Sequence, residues 1–304
     1  MSGAYPRDLK GYGRTPPDPR WPNDCRLAVS FVINYEEGAE NSILHGDVAA
    51  EHVMSEMVDA IPLPGQRNLN LESHYEYGSC AGFWRLWRLF AARRIPVTVW
   101  AVGMALERCP EAAAAMVEAG WEVASHGWRW YDYRYVGEAV EREHMRLAID
   151  VIERLCGRKP VGWYMGRLSP NTHRLVAENP DFLYSSDTYA DDLPYWDTRQ
   201  SRPLLMIPYT FDNNDQRFLT TQGFNSGEQF FTYLKDGFDL LYAEGAECPR
   251  MMSIGLHCRV VGRPGRAQAL ARFMDYVQSH EGVWLCRREE IARHWRAHFP
   301  HAPA

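Results

Sequence analysis

The chain has 304 residues, 46% of them hydrophobic and 24% charged, with a formal net charge of −6 at pH 7. These proportions exclude wholesale disorder, a collagen-like repeat and a coiled-coil rod, and they supply enough apolar mass for a large core. The negative balance offers no field to recruit a polyanion, and no run of about 18 apolar residues is present, so neither nucleic acid nor a membrane is an expected partner. A small-molecule ligand is.

The seven cysteines (Cys25, Cys80, Cys109, Cys156, Cys248, Cys258 and Cys286) are odd in number and scattered, without a C-x-x-C pair. That spacing suggests neither a disulfide framework nor a zinc knuckle and fits a reducing compartment. The N-terminus lacks the apolar stretch of a secretion signal, so a cytoplasmic location is expected.

Tyr5 to Pro22 is rich in Pro, Gly and Arg, too broken for a core element, and reads as an extended arm within residues 1–24. A single catalytic domain over 25–304 follows. It begins with Leu27 to Ile33, a nearly continuous apolar run rich in branched residues, as in a strand buried on both faces of a parallel sheet. Further strands are expected at Val97 to Val102, Trp121 to Ala124, Val161 to Tyr164, Phe182 to Tyr184, Leu204 to Ile207, Met251 to Leu256 and Val283 to Cys286. Between them, apolar residues at three- and four-residue spacing predict helices over Gly82 to Arg94, Pro110 to Glu118, Glu138 to Leu155, Gly227 to Ala243 and Arg266 to His280. Seven or eight such units make an α/β chain, a (β/α) barrel with polar residues gathered at the C-terminal ends of its strands. A doubly wound open sheet would want a glycine-rich phosphate loop after the first strand, where the acidic Asn34-Tyr35-Glu36-Glu37-Gly38 stands instead.

Several of those strand ends carry groups able to do chemistry. Glu36 and Glu37 are adjacent carboxylates closing an apolar strand, where ionised groups are costly without a task or a partner. Either is a candidate base for water. His126, in Ser125-His126-Gly127-Trp128-Arg129-Trp130, would form half of a two-histidine metal face, but four residues on stands Trp130, and indole cannot ligate a metal. His257 ends Met251 to Leu256 and is placed for acid–base work near neutral pH. Arg167 is suited to clamp an anion or a carbonyl, and Asp187 to hold a ring N–H. Each has an ordinary structural reading when taken singly: a rim ion pair, a capping histidine, an exposed glutamate. Cys258 follows His257 and so points to the other face, which argues against a thiol nucleophile. The aromatic residues from Trp128 to Tyr133, with Trp163, Tyr164, Tyr189, Tyr195 and Trp196, suit either a flat ligand or packing.

Taken together these motifs resemble the polysaccharide-deacetylase superfamily: its acidic pair appears as Glu36-Glu37, its His-x-x-x-His as His126 to Trp130, its arginine motif around Arg167 and its last strand-end histidine as His257. The lost second histidine departs from the superfamily's metal-dependent pattern. More closely the chain resembles the metal-independent bacterial allantoinases that branch from it, through Asn34 to Gly38, Ser125 to Trp130, Gly162 to Arg167, Ser186 to Tyr189, Asp191 to Trp196 and Gly255 to Arg259. The resemblance implies a deformed (β/α) barrel, a homotetramer, and hydrolysis of the hydantoin ring of (S)-allantoin to allantoate without metal or other cofactor. It implies Glu36, Glu37, His126 and His257 as catalytic residues and Trp130, Arg167, Asp187, Tyr35 and Arg259 as contacts of a ureide substrate. A cyclic-imide hydrolase of the same branch, a metal-dependent deacetylase of N-acetylated glycans, and a silent sugar- or ureide-binding protein are the alternatives; the last needs no acid–base pair.

Overall fold

Strand β1 (Leu27–Tyr35) is buried along its whole length and stands second from one end of the sheet, paired on both sides. The structure, a computed structural model, describes residues 7–57 and 60–301, so Tyr5 and Pro6 of the expected arm lie outside the described residues. β1 pairs in parallel with β8 (Arg250–His257), from Leu27 opposite Arg250 to Asn34 opposite His257. On its other side it pairs with β2 (Val97–Ala101) through Phe31 to Tyr35 and with β9 (Val283–Leu285) through Leu27 to Val29. The sheet continues from β2 through β3 (Glu122–Ser125), β4 (Gly162–Trp163), β5 (Tyr184–Ser185) and β7 (Leu204–Met206) to β6 (Tyr195–Asp197), which alone is antiparallel. The (β/α) barrel expected from the pattern, in the deformed form that the resemblance implies, is thus present as a curled, open sheet, with β6 an additional strand that the pattern did not mark.

Alternation along β1 divides the core. Leu27, Val29, Phe31, Ile33 and Tyr35 pack outward against helices, whereas Ala28 and Val32 face inward with Trp100, Tyr164, Tyr184 and Tyr209. The outer layer contains α1 (Leu69–Tyr77), α2 (Phe83–Arg93), α3 (Gly103–Arg108), α4 (Pro110–Glu118), α5 (Glu138–Cys156), α6 (Thr172–Glu178), α7 (Gly227–Glu244), α8 (Pro264–Gln278) and α9 (Arg288–His298). α1 and α2 are joined by one π-type turn, Gly78–Gly82. Its glycines permit close approach. A Cβ on Gly78 would lie 2.4 Å from Oε1 of Glu37, and one on Gly82 would lie 2.0 Å from the carbonyl oxygen of Cys258. The helix pair therefore rests directly on the mouth of the barrel.

The arm packs on its own domain from Tyr12 to Trp21. Tyr12 Oη donates to Pro194 O at 2.6 Å, Trp21 Nε1 donates to Arg250 O at 2.8 Å, and the Trp21 ring lies 5.6 Å from that of Trp284. Trp21 is buried, so this segment adds to the hydrophobic core.

Between β7 and β8 no ladder closes the ring among the described residues. Isolated bonds cross the gap instead: Met251 N–H to Asp192 O at 3.1 Å and Gly255 N–H to Asn213 O at 2.9 Å. Behind them Arg288, fully buried, spreads its guanidinium across the interior to Ser253 Oγ (2.6 Å), Ser186 Oγ (2.9 Å), Ile207 O (2.6 Å) and Pro208 O (2.7 Å). Burial holds its pKa below the usual arginine value. Arg288→Ala leaves two carbonyls and two hydroxyls without these donors and opens a void, so a loss of about 3 kcal/mol or more is expected. Urea unfolding with an unchanged m-value checks this; a shift below about 1 kcal/mol would refute it.

Candidate active site

The parallel strands deliver their polar ends to one rim, where Glu36 follows β1, His126 follows β3 and His257 ends β8. Glu36 is buried at the centre. Its Oε1 lies 3.4 Å from His126 Nε2 and 3.5 Å from His257 Nε2, and its Oε2 accepts from Arg259 Nη1 at 2.7 Å. Burial pushes its carboxyl up, but Arg259 and His257 outweigh that and hold it well below the ordinary carboxylate range. It is ionised at neutral pH.

The two imidazoles are oriented differently. His126 Nδ1 lies 2.9 Å from Tyr164 O, and since a carbonyl only accepts, Nδ1 carries the proton and Nε2 is the nitrogen turned to Glu36. His257 Nδ1 lies 2.6 Å from Oδ1 of Asp215, whose other oxygen accepts the backbone N–H of His257 at 2.7 Å and of Val261 at 3.0 Å. Burial alone would discharge this imidazole, but Asp215 and then Glu36 overcome it, and its pKa rises to about 9. A protonated His257 therefore faces an ionised Glu36.

Glu37 takes another direction. Its oxygens accept the backbone N–H groups of Glu36 (3.0 Å) and Arg259 (3.3 Å), and Oε1 lies 3.8 Å from Arg259 Nη1. Burial pushes its pKa up to about 7, opposed by Arg259 and assisted by Glu36.

Trp130 stands as a wall between two guanidinium groups. The Cζ of Arg167 lies 3.9 Å from its ring centroid and that of Arg259 5.3 Å, while Arg259 also covers Tyr75 at 4.3 Å. Arg167 Nη1 reaches Glu51, buried, at 3.5 Å. Nε and Nη2 of Arg259, Nη2 of Arg167 and Oη of Tyr75 are buried with no hydrogen-bond partner among the described residues. Buried donors left in this state are costly unless a bound molecule supplies acceptors. They suit a compact ligand rich in carbonyl oxygens.

Two expected contacts have other partners within the protein. Tyr35 points outward, since side-chain alternation sends it opposite to Asn34 and Glu36; its ring packs on Phe83 at 5.4 Å and its hydroxyl lies 3.4 Å from Ser79 Oγ. Asp187 holds no imidazole N–H through its carboxylate. It accepts instead from the backbone N–H groups of Met165 (2.9 Å) and Gly166 (2.8 Å), fixing the turn that presents Tyr164 O to His126. Most of the aromatic cluster is packing: Trp163 meets Phe182, and Tyr131 stacks on Tyr133 at 4.7 Å. Cys258 is fully buried, and burial raises its thiol pKa well above the ordinary value, which removes it as a nucleophile. Asp215, Tyr75 and Glu51 are the residues that sequence reasoning missed. Only Asp215 carried a signal, the polar run Asp212 to Asp215 after an apolar strand.

The donor set does not fit a divalent ion. Trp130 fills the position of a fourth-residue partner to His126, the Arg259 guanidinium already pairs with both glutamates, and among the described residues no three His, Cys, Asp or Glu are grouped to hold one. What the arrangement can do is abstract a proton from water at Glu36, deliver one from His257, and stabilise a developing oxyanion with unpaired cationic donors.

Residues 73–179 match the polysaccharide deacetylase family. A Schizosaccharomyces pombe protein assigned to the polysaccharide deacetylases is 43% identical over 97% of this chain and 98% of its own. Two crystal structures are similar over nearly the full length. A Pseudomonas aeruginosa PAO1 protein with the same assignment has a TM-score of 0.96 at 60% identity, covering 98% of this chain and 100% of its own. PuuE allantoinase has a TM-score of 0.97 at 58% identity, covering 99% and 100%.

Proposed function

Because the chain belongs to the polysaccharide deacetylase family, we propose that it turns that family's hydrolytic geometry on a cyclic ureide, opening the hydantoin ring of (S)-allantoin to allantoate. The observation that carries this reading is Glu36, ionised between His126 and a protonated His257, against an aromatic and guanidinium wall rather than a metal-ligand set. The full-length likeness to PuuE allantoinase supports it.

Glu36 removes a proton from the water that attacks the ring carbonyl. The guanidinium groups of Arg259 and Arg167 and the Tyr75 hydroxyl receive the negative charge that develops on oxygen, work that burial strengthens because little water competes. His257, held by Asp215, gives its proton to the departing ring nitrogen. His126, with Nε2 turned to Glu36, fixes the base and the water. Trp130 bounds the flat ring.

The test is turnover of allantoin, succinimide and an N-acetylated chitooligosaccharide by chelator-treated protein. Allantoin is expected to be opened at an undiminished rate. Glycan deacetylation that appears only when zinc is restored would overturn the reading, and preference for succinimide would move the substrate to cyclic imides.

A further inference from the structure

The ring-opening chemistry leaves one proton over, and Glu37, which the steps above do not use, stands on its way out. Water oxygen bonds to the ring carbonyl carbon and the C–N bond breaks. His257 gives its proton to the departing nitrogen and Glu36 holds one of the two water protons; the other, lost as the new carboxylic acid ionises at neutral pH, restores His257, so the proton on Glu36 must leave a site in which that residue is almost wholly buried.

Against Glu37 lies a cavity of about 290 Å³ whose walls include the buried Glu37 and Tyr75, with Cys109, and the exposed Cys80 and Leu44. Cys80 is exposed and Leu44 is 64% exposed, so the cavity opens to the surface. Glu37 is held between this space and the reaction centre: it shares the Arg259 guanidinium with Glu36, accepts the backbone N–H of Glu36, and is packed down by Gly78. Glu40, Arg108, His45, Glu76 and the Arg67–Glu72 ion pair are the charged and titratable groups that share the cavity walls with it, and Arg108 Nη1 is engaged by Gly38 O at 2.9 Å and by His45 Nε2 at 2.6 Å.

Resting on the ring-opening reading above, we propose that Glu37 and this cavity form the path by which the proton taken up at Glu36 is passed to solvent at each turnover. Glu37 acts through Glu36 and not on the substrate, so it is a positioning and relay residue. A pKa of about 7 suits a group that must both accept and release a proton near neutrality.

The experiment is steady-state allantoin hydrolysis by Glu37→Gln in a dilute bulky buffer, with and without imidazole, a proton acceptor small enough for the cavity. Proton release follows chemistry, so kcat should fall about tenfold while kcat/KM stays within about twofold, and imidazole should restore most of kcat. Adding Cys80→Phe at the cavity mouth should abolish that rescue, whereas Glu36→Gln should show no rescue at all. An unchanged kcat, or equal falls in kcat and kcat/KM that imidazole does not reverse, would overturn the proposal while leaving the ring-opening reading intact. If Glu37→Gln does not fold, Cys80→Phe alone carries the test, and an unchanged kcat there overturns it. A wild-type protein inactive on allantoin removes both readings together.

Discussion

Glu36→Gln is expected to lower kcat on allantoin by about 10²-fold or more while KM moves by less than about threefold. Glutamine keeps the shape of the side chain and the acceptor that Arg259 Nη1 uses, so the pocket survives, but it cannot take a proton from water. The charge is lost as well, and it is one of the two that raise the His257 pKa, so the acid's pKa should fall toward neutrality in the same variant. Measuring kcat and KM across pH separates these effects. Near-wild-type turnover would dismiss Glu36 as the base, and a much larger loss in Glu37→Gln would move that role one position along the chain.

His257→Asn is expected to cost a similar factor in kcat and to remove the high-pH limb of the rate profile. In the wild type, activity requires His257 protonated, so the rate should hold through neutral pH and fall as pH rises through about 9. Asp215→Asn probes the same proton from behind: it removes the charge that most favours the imidazolium, so the limb should shift to lower pH and kcat fall by about 10²-fold or more. The stability linkage has a definite sign. The folded-state pKa lies above the ordinary 6.5, so His257 contributes stability that is fully present below pH 6.5 and is lost as pH rises through about 9. A denaturation midpoint that rises with pH across that window in the wild type relative to His257→Asn would contradict the assignment.

The strands with nearly continuous apolar runs could be read directly, because burial on both faces leaves little choice of residue: Leu27 to Ile33 became β1, extended by two residues into its polar end, and Met251 to Leu256 became β8, extended by one residue at each end. Pro110 to Glu118 matched α4 at both ends, with proline opening its first turn. The antiparallel β6, Tyr195–Asp197, is three residues long and only partly buried over its first two, and so carries no period to detect. α9 was hidden because its sequence, Arg288 to His298, is dominated by charge, and its burial depends on the neutral oxygens that receive Arg288. In the site, Glu36, His126 and His257 were visible as polar groups closing apolar strands. Tyr35 was misplaced by proximity in sequence, which alternation reverses, and Tyr75 comes from a helix whose apolar pattern is weak. Contacts that depend on a helix resting on the rim, as Tyr75 and Glu37 do, follow from tertiary packing and leave no local trace.

The interval between β7 and β8, crossed by isolated bonds and one arginine, also bears on how the molecule breathes. Where β1 is flanked by β2 and β8, amides can exchange with solvent only when the whole sheet comes apart. At the interval, the amides of Met251 and Gly255 are held by single acceptors on irregular backbone, Asp192 and Asn213, so they can be released by a local fluctuation that leaves the other strands paired. Asp215 lies two residues beyond Asn213 and grips the backbone of His257, two residues beyond Gly255. The same fluctuation that unlatches the wall therefore loosens the clamp on the proton donor, and a ligand that steadies His257 will slow deuterium uptake at the opposite end of the same strand, at Met251.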